Sequence, residues 1–332
     1  MNASHLVPLL LAFCLLSHSA FSEDLHPTQS SDVQSYDVGD GRVFNYTKPD
    51  YLNIVTDLPK NGLLSLKEAF SKDKAGPWAS IILSSVWLYK YDEDLLLHIQ
   101  KQGRDLGIGN EERTKTVLSA GDIDLVRLPS DTGSTLYFIG DGWTHFSIAG
   151  GFLLYGTTKN DYRAWNTSYQ LVHGMMLSTF FNQAIKRTTG RESPNEKSEP
   201  RGKWRPFPSI KAYNENTAKY DAVPSGHVMT STLVMTIINE NYPEYWYITL
   251  PAGGTLIGLL SWQMVNNGVH WASDYPLGFA MGLFYGKLVA RNWASRSTSE
   301  ELSLRKKGWR DFTLEPLMTY HQALGLSARW DF

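Results

Sequence analysis

The chain alternates between long uncharged runs and short charged ones. Residues 64–70 read as a short amphipathic helix, and 78–89 as a more apolar one that turns polar at Lys90-Tyr-Asp-Glu-Asp94. A surface helix is predicted over 95–104 and a charged loop near 110–115. A turn at 138–142 then leads into a helix over 143–155. Residues 164–185 and 245–273 carry no charge, and helices are predicted within both, as well as over 227–238 and 275–286. In the last of these, Gly278, Gly282 and Gly286 lie four apart and make one small-residue face for close helix approach. Residues 23–60 are polar, with scattered Pro, Gly and Asp, and predict an irregular arm. The Pro-rich, charged stretch 195–221 predicts a loop over one end of the bundle. Beyond a Ser, Arg, Lys and Glu linker at 295–308, apolar residues alternate over 312–320 and 324–332, which is strand periodicity.

These patterns predict an all-α bundle of about six principal helices with a small C-terminal β-hairpin. The divisions expected are a signal peptide over 1–22, an arm with a short helix over 23–75, a helical domain over 76–294, and a linker with hairpin over 295–332. Composition adds few constraints. With 42% hydrophobic residues and a formal charge of −2, the chain can bury one substantial core and gives no case for nucleic acid. The apolar stretch 6–16, followed by Ala20-Phe-Ser22, predicts export to the periplasm or envelope of a bacterium. The single cysteine, Cys14, lies in that leader, so the mature chain would hold no thiol and no disulfide. Residues 164–185 and 245–262 are long enough to cross a membrane but are diluted with polar side chains. A soluble or peripheral protein and an integral inner-membrane form are the two readings this pattern leaves.

Chemistry-bearing residues collect at the predicted helix ends. Lys186 closes the uncharged run 164–185 and is followed by Arg191, Ser193 and Pro194. Pro224-Ser225-Gly226-His227 opens the next helix, with Ser225 as its N-cap and His227 in its first turn. The unpaired N–H groups at such a helix start can hold an anion. His270 and Asp274 are four apart, a spacing that on a helix sets a carboxylate beside the imidazole, fixing its tautomer and raising its basicity. Two histidines in different surroundings suit phosphoryl transfer, one as nucleophile and one as acid. His227, His270 and Asp274, with His145 and His173, are also numerous enough for zinc, which the family resemblance given below sets aside in favour of a metal-free site without a cofactor. Asp141 is a candidate for supporting the site from behind, and equally for a helix cap.

This pattern resembles the type 2 phosphatidic acid phosphatase (PAP2) superfamily, shared by lipid phosphatases, bacterial acid phosphatases and vanadium haloperoxidases. The family pattern is Lys, six residues, Arg-Pro; then Pro-Ser-Gly-His; then Ser-Arg, five residues, His, three residues, Asp. Lys186, Pro194, residues 224–227, His270 and Asp274 match it, and the likeness extends over roughly residues 135–290. It implies a metal-independent phosphatase for a phosphomonoester or lipid phosphate. In that reading His270 attacks phosphorus, Asp274 orients it, and His227 protonates the leaving group. Ser193 and Met264 stand where the family has its two phosphate-clamping arginines, with Gln263 before Met264. Lys186, Arg191, Ser225, Gly226 and Gln263 are then the expected phosphate contacts, Arg191 replacing a missing guanidinium and Ser193 supporting from nearby. A non-catalytic envelope protein that binds a phosphorylated lipid or another envelope component is the alternative.

Overall fold

A computed structural model describes residues 33–39, 42–50, 52–120, 123–293, 295–296, 312–318 and 324–330. The leader expected over 1–22, with Cys14, lies outside these residues.

Two short strands come first, β1 (Val33–Asp37) and β2 (Val43–Thr47), antiparallel with Val33 opposite Thr47. Helices α1 (Asn53–Thr56), α2 (Leu58–Ala69) and α3 (Ala75–Asp105) follow. A second antiparallel pair, β3 (Thr114–Ala120) and β4 (Ile123–Pro129), leads to α4 (Thr132–Phe138), α5 (Gly142–Lys159) and α6 (Tyr162–Thr189). After a long loop holding the short α7 (Ile210–Glu215) come α8 (Gly226–Asn241), α9 (Trp246–Asn266) and α10 (Tyr275–Trp293). Strand β5 (Ser295–Arg296) joins the edge of β2, and β6 (Phe312–Met318) pairs with β7 (Leu324–Trp330).

This architecture overturns the expected fold class. The chain is mostly helical, but with more helices than about six, and antiparallel β-pairs occupy the N-terminal and middle regions rather than a C-terminal hairpin alone. The predicted irregular arm contains β1 and β2 because Phe44 and Tyr46 find a distant apolar partner, packing with Tyr162, Trp165 and Tyr169 of α6. Gln34 seals the join: its amide donates to the Asn160 carbonyl at 2.7 Å and accepts from the Tyr162 N–H at 2.8 Å. The two helices predicted over 78–89 and 95–104 are one continuous α3, because the charges of 90–94 are absorbed by contacts from the loop after α6.

The main core lies between α6, α8 and α10, with Leu171, Met229, Leu233, Ile237 and Val289 fully or almost fully buried. Burying each large apolar side chain contributes roughly 1.5–3 kcal/mol. The glycine face of α10 is used against α8. A Cβ at Gly278 would lie 2.6 Å from the Ser225 carbonyl oxygen, at Gly282 2.5 Å from that of Met229, and at Gly286 2.7 Å from Thr236 Cβ. Close approach of α10 thus supports the start of α8, where His227 sits. Gly282→Ala is expected to destabilise the fold by about 1–3 kcal/mol through overpacking. Gly254→Ala, with nothing within 4 Å of the new methyl group, should leave stability unchanged or raise it by up to about 1 kcal/mol. Thermal or denaturant unfolding of the two variants measures this contrast.

Candidate active site

Helix α6 delivers Lys186 in its last turn and then stops. Gly190 caps it at φ 58°, and its N–H donates to the Lys186 carbonyl at 2.8 Å. No other residue fits at 190, since a Cβ would overlap the Arg205 carbonyl. Lys186 is buried, and its ammonium donates to the main-chain carbonyl of Asp221 and lies 3.4 Å from Asp221 Oδ2.

Ser225 caps α8 as expected, its hydroxyl accepting from the Val228 N–H at 3.4 Å. Gly226 and His227 therefore begin the helix, where the free N–H groups of the first turn lie. The His227 ring is 5.9 Å from the His270 ring and 5.2 Å from that of Tyr137, centroid to centroid. Burial, assisted by the charge of Lys186, lowers the His227 pKa well below its ordinary value. The Tyr137 phenol is pushed up to about 12 by burial and by the carboxylates of Glu112, Asp141 and Asp221. Both rings are therefore neutral near pH 7.

His270 is positioned differently from what its spacing predicts. It follows Gly268, at φ 68°, and precedes the 3₁₀ turn Ala272–Asp274, so it shares no helix with Asp274. Its Nδ1 lies 2.7 Å from the Ala222 carbonyl oxygen and 3.5 Å from Asp274 Oδ2. A carbonyl only accepts, so Nδ1 carries a proton, and in the neutral ring the lone pair resides on Nε2. The tautomer is thus set first by main chain and only then by Asp274. The Asp274 carboxylate accepts from the Trp271 N–H at 2.8 Å through Oδ2 and from Arg191 Nη1 at 2.6 Å through Oδ1. Burial opposes its ionisation, but Arg191, His270 and the Trp271 amide outweigh burial and lower its pKa.

Arg191 makes this arrangement possible. Its Nε and Nη2 donate to the Arg201 carbonyl at 3.2 and 2.8 Å, Nη1 to Ser273 Oγ at 2.8 Å and to Asp274, and Nη2 to Asp92 Oδ2 at 2.7 Å. All the N–H groups of a guanidinium are accounted for by these bonds. The rings of Tyr89, Trp204 and Trp271 lie 5.0 to 5.2 Å from its Cζ. The guanidinium is therefore committed to the scaffold behind Asp274, and its donors go to protein acceptors.

The remaining predicted residues are placed as follows. The amide of Gln263 donates to the Gly109 carbonyl at 2.9 Å and to Asn267 Oδ1 at 2.5 Å, fastening α9 to the segment before β3. Met264 is fully buried, and its carbonyl accepts from the Val269 and His270 N–H groups at 2.9 and 3.4 Å. Ser193 is buried, with its N–H donating to the Ala218 carbonyl at 2.8 Å. Asp141 caps α5, accepting from the Trp143 N–H at 2.8 Å. Sequence reasoning missed Asp92, whose Oδ2 also accepts from Ser273 Oγ at 2.6 Å. Burial raises its pKa in spite of Ser273 and Arg191. The available signal was an acid four residues before Leu96, on the one stripe of α3 that is buried. Among the described residues no group of three or more His, Cys, Asp or Glu side chains is arranged to hold a metal ion.

Residues 168–297 match the family model of the PAP2 superfamily, a segment that contains Lys186, residues 224–227, His270 and Asp274. No curated protein matches the chain. Among solved structures it is similar to the crystal structure of the first transmembrane PAP2 type phosphatidylglycerolphosphate phosphatase from Bacillus subtilis. That similarity is 16% in sequence, over 65% of this chain and 94% of that one, with a TM-score of 0.39. Among the described residues one segment, Pro243–Asn266, is long and apolar enough to cross a membrane, with 22% of its apolar window buried.

Arg191→Ala should leave Asp92 and Asp274 buried without a counter-charge, lowering stability by about 3–5 kcal/mol. Arg191→Lys should recover only part of this, because an ammonium cannot reach both carboxylates and the Arg201 carbonyl together. Denaturant unfolding of the pair, with equal m-values as the check on two-state behaviour, measures the difference.

Proposed function

We propose that the chain is a metal-independent phosphatase of the PAP2 type, acting on a phosphomonoester or lipid phosphate at the bacterial envelope. The observation that carries this reading is His270, with Nδ1 committed to the Ala222 carbonyl and its lone pair on Nε2, beside His227 at the open start of α8. Nε2 attacks phosphorus, and the new N–P bond forms as the bond to the leaving oxygen breaks, the electron pair going to that oxygen. His227 supplies the proton. Water then attacks the phosphohistidine, His227 takes a proton from it, and the N–P electron pair returns to His270. The N–H groups near Ser225 and Gly226, with Lys186, hold the phosphoryl oxygens. Arg191 acts through Asp274, which keeps His270 in place.

His227 is neutral in the free protein because of burial and the charge of Lys186. An incoming phosphate anion acts in the opposite sense, so the proton needed for the leaving group is acquired together with substrate. Placement at a membrane is supported by the apolar segment Pro243–Asn266 and by the exposed Trp87, Trp246 and Tyr247.

A second reading, a non-catalytic protein that binds a phosphorylated lipid or envelope component, is favoured by the burial of Ser193 and Met264 where clamping arginines would stand. Turnover decides between the two. Purified protein should release phosphate from aryl phosphates in the presence of chelator, and His270→Ala should reduce kcat by about 10³-fold or more. His227→Asn should slow alkyl phosphates by about 10²–10⁴-fold and p-nitrophenyl phosphate much less, since p-nitrophenolate leaves without a proton. Activity untouched by either substitution would rule out the mechanism, and absence of turnover on a broad ester panel would favour the binding protein.

A further inference from the structure

Lys186, the cation nearest the proposed phosphate position, is already matched by an acid. Its ammonium is held by both the main-chain carbonyl and the carboxylate of Asp221, the latter at 3.4 Å, and Asp221 is itself partly open to solvent, with 28% of its side chain exposed. Asp221 lies three residues before Pro224 and is anchored beside the first motif by a bridge to Arg191; the Ala222 N–H donates to the Arg191 carbonyl at 3.1 Å. The carboxylate is thus fixed beside Lys186 by the same stretch of main chain that orients His270.

The two phenols that feel the Asp221 charge carry none to offset it, and the nearby arginines are Arg187, on the exposed side, and Arg191. Tyr137 of α4 and Tyr213 of α7 are phenols that burial, together with the charge of Asp221, keeps protonated. His227 of α8 is neutral in the free protein. Arg187, one residue after Lys186, donates to Gln183 Oε1 at 3.0 Å and stacks on Tyr213, with Cζ 4.3 Å from the ring centre. Arg191 is committed to Asp92 and Asp274. The charge offered to a phosphoryl group by Lys186 is therefore balanced by one carboxylate.

We propose that Asp221 is a specificity-determining residue that makes the site select a phosphomonoester in its singly protonated, monoanionic form over the dianion. The inference rests on the phosphatase reading and deepens it. The second charge of a dianion, roughly 5 Å from a carboxylate at an effective dielectric of about 20, is disfavoured by more than about tenfold. Replacing the carboxylate by an amide of the same shape removes that discrimination while the main-chain bond to Lys186 remains.

The test compares p-nitrophenyl phosphate with its methyl ester at pH 8, where the first is a dianion and the second a monoanion with the same leaving group. In Asp221→Asn the ratio of kcat/KM for the dianion to that for the monoanion should rise about tenfold or more over the unsubstituted protein. Asp221→Ser should raise it in the same direction, which covers a loss of folding in either variant. A ratio that stays within about twofold in the folded variants overturns the proposal. Should the unsubstituted protein turn over neither ester, the phosphatase reading fails separately, and calorimetric binding decides the inference. In that arm Asp221→Asn should tighten inorganic phosphate about tenfold and dimethyl phosphate much less. Equal tightening of the two overturns it.

Discussion

One buried guanidinium between two buried carboxylates is the constraint from which the rest of this structure follows. Arg191, Asp92 and Asp274 are almost wholly withdrawn from water. Desolvating three charges costs several kcal/mol each, and the cost is offset only while the geometry satisfies every donor and acceptor together. Asp92 belongs to α3, Arg191 to the turn after α6, and Asp274 to the turn that begins α10. The triad therefore fixes three separate stretches of chain relative to one another. His270 inherits its place from that arrangement, since Asp274 also holds the Trp271 N–H and Trp271 Nε1 donates to the Glu192 carbonyl at 2.8 Å.

The helix packing converts this local order into a common end for the bundle. The Ser225 N–H donates to the Asp274 carbonyl at 3.2 Å, and Gly278 lies directly against the Ser225 backbone. The start of α8 is thus docked on the start of α10, with the two histidine rings facing across the join. Four-residue steps on α10 meet four-residue steps on α8, a packing that needs glycine on one side because backbone meets backbone there. Position and chemistry are coupled through this contact: a shift of α10 would move His227 and the Asp274 turn together.

The sequence made legible those features that depend on neighbours along the chain. The uncharged run 164–185 lies within α6 and the run 245–273 contains α9, the cap at Ser225 follows from residue type, and the spacing of the glycines indicates which face of α10 packs closely. What failed depends on partners far away. Residues 90–94 read only as a polar stretch before a surface helix, whereas Asp92 is bound by Arg191, and Glu93 by Lys197 and the Arg201 N–H, from about a hundred residues on. The polar arm became strands because Phe44 and Tyr46 meet Trp165 and Tyr169. Within the candidate site, spacing indicates which residues gather but not which way they turn. Arg191 is in the right turn and faces the scaffold, and Gln263 faces Gly109.

Ser193 and Met264, which the sequence resemblance sets against arginines of the family pattern, illustrate the same point from the opposite direction. Position 264 is sealed: Met264 has no exposed surface, and its carbonyl carries the N–H groups of Val269 and His270. Position 193 is likewise closed, its backbone held to Ala218 and to Glu196. A guanidinium added at either place would need both volume and acceptors that its surroundings do not provide, so the neighbours have adapted around the smaller or apolar residue. Near these two positions Lys186 is matched by Asp221, while the buried Arg191 is already committed to Asp92 and Asp274.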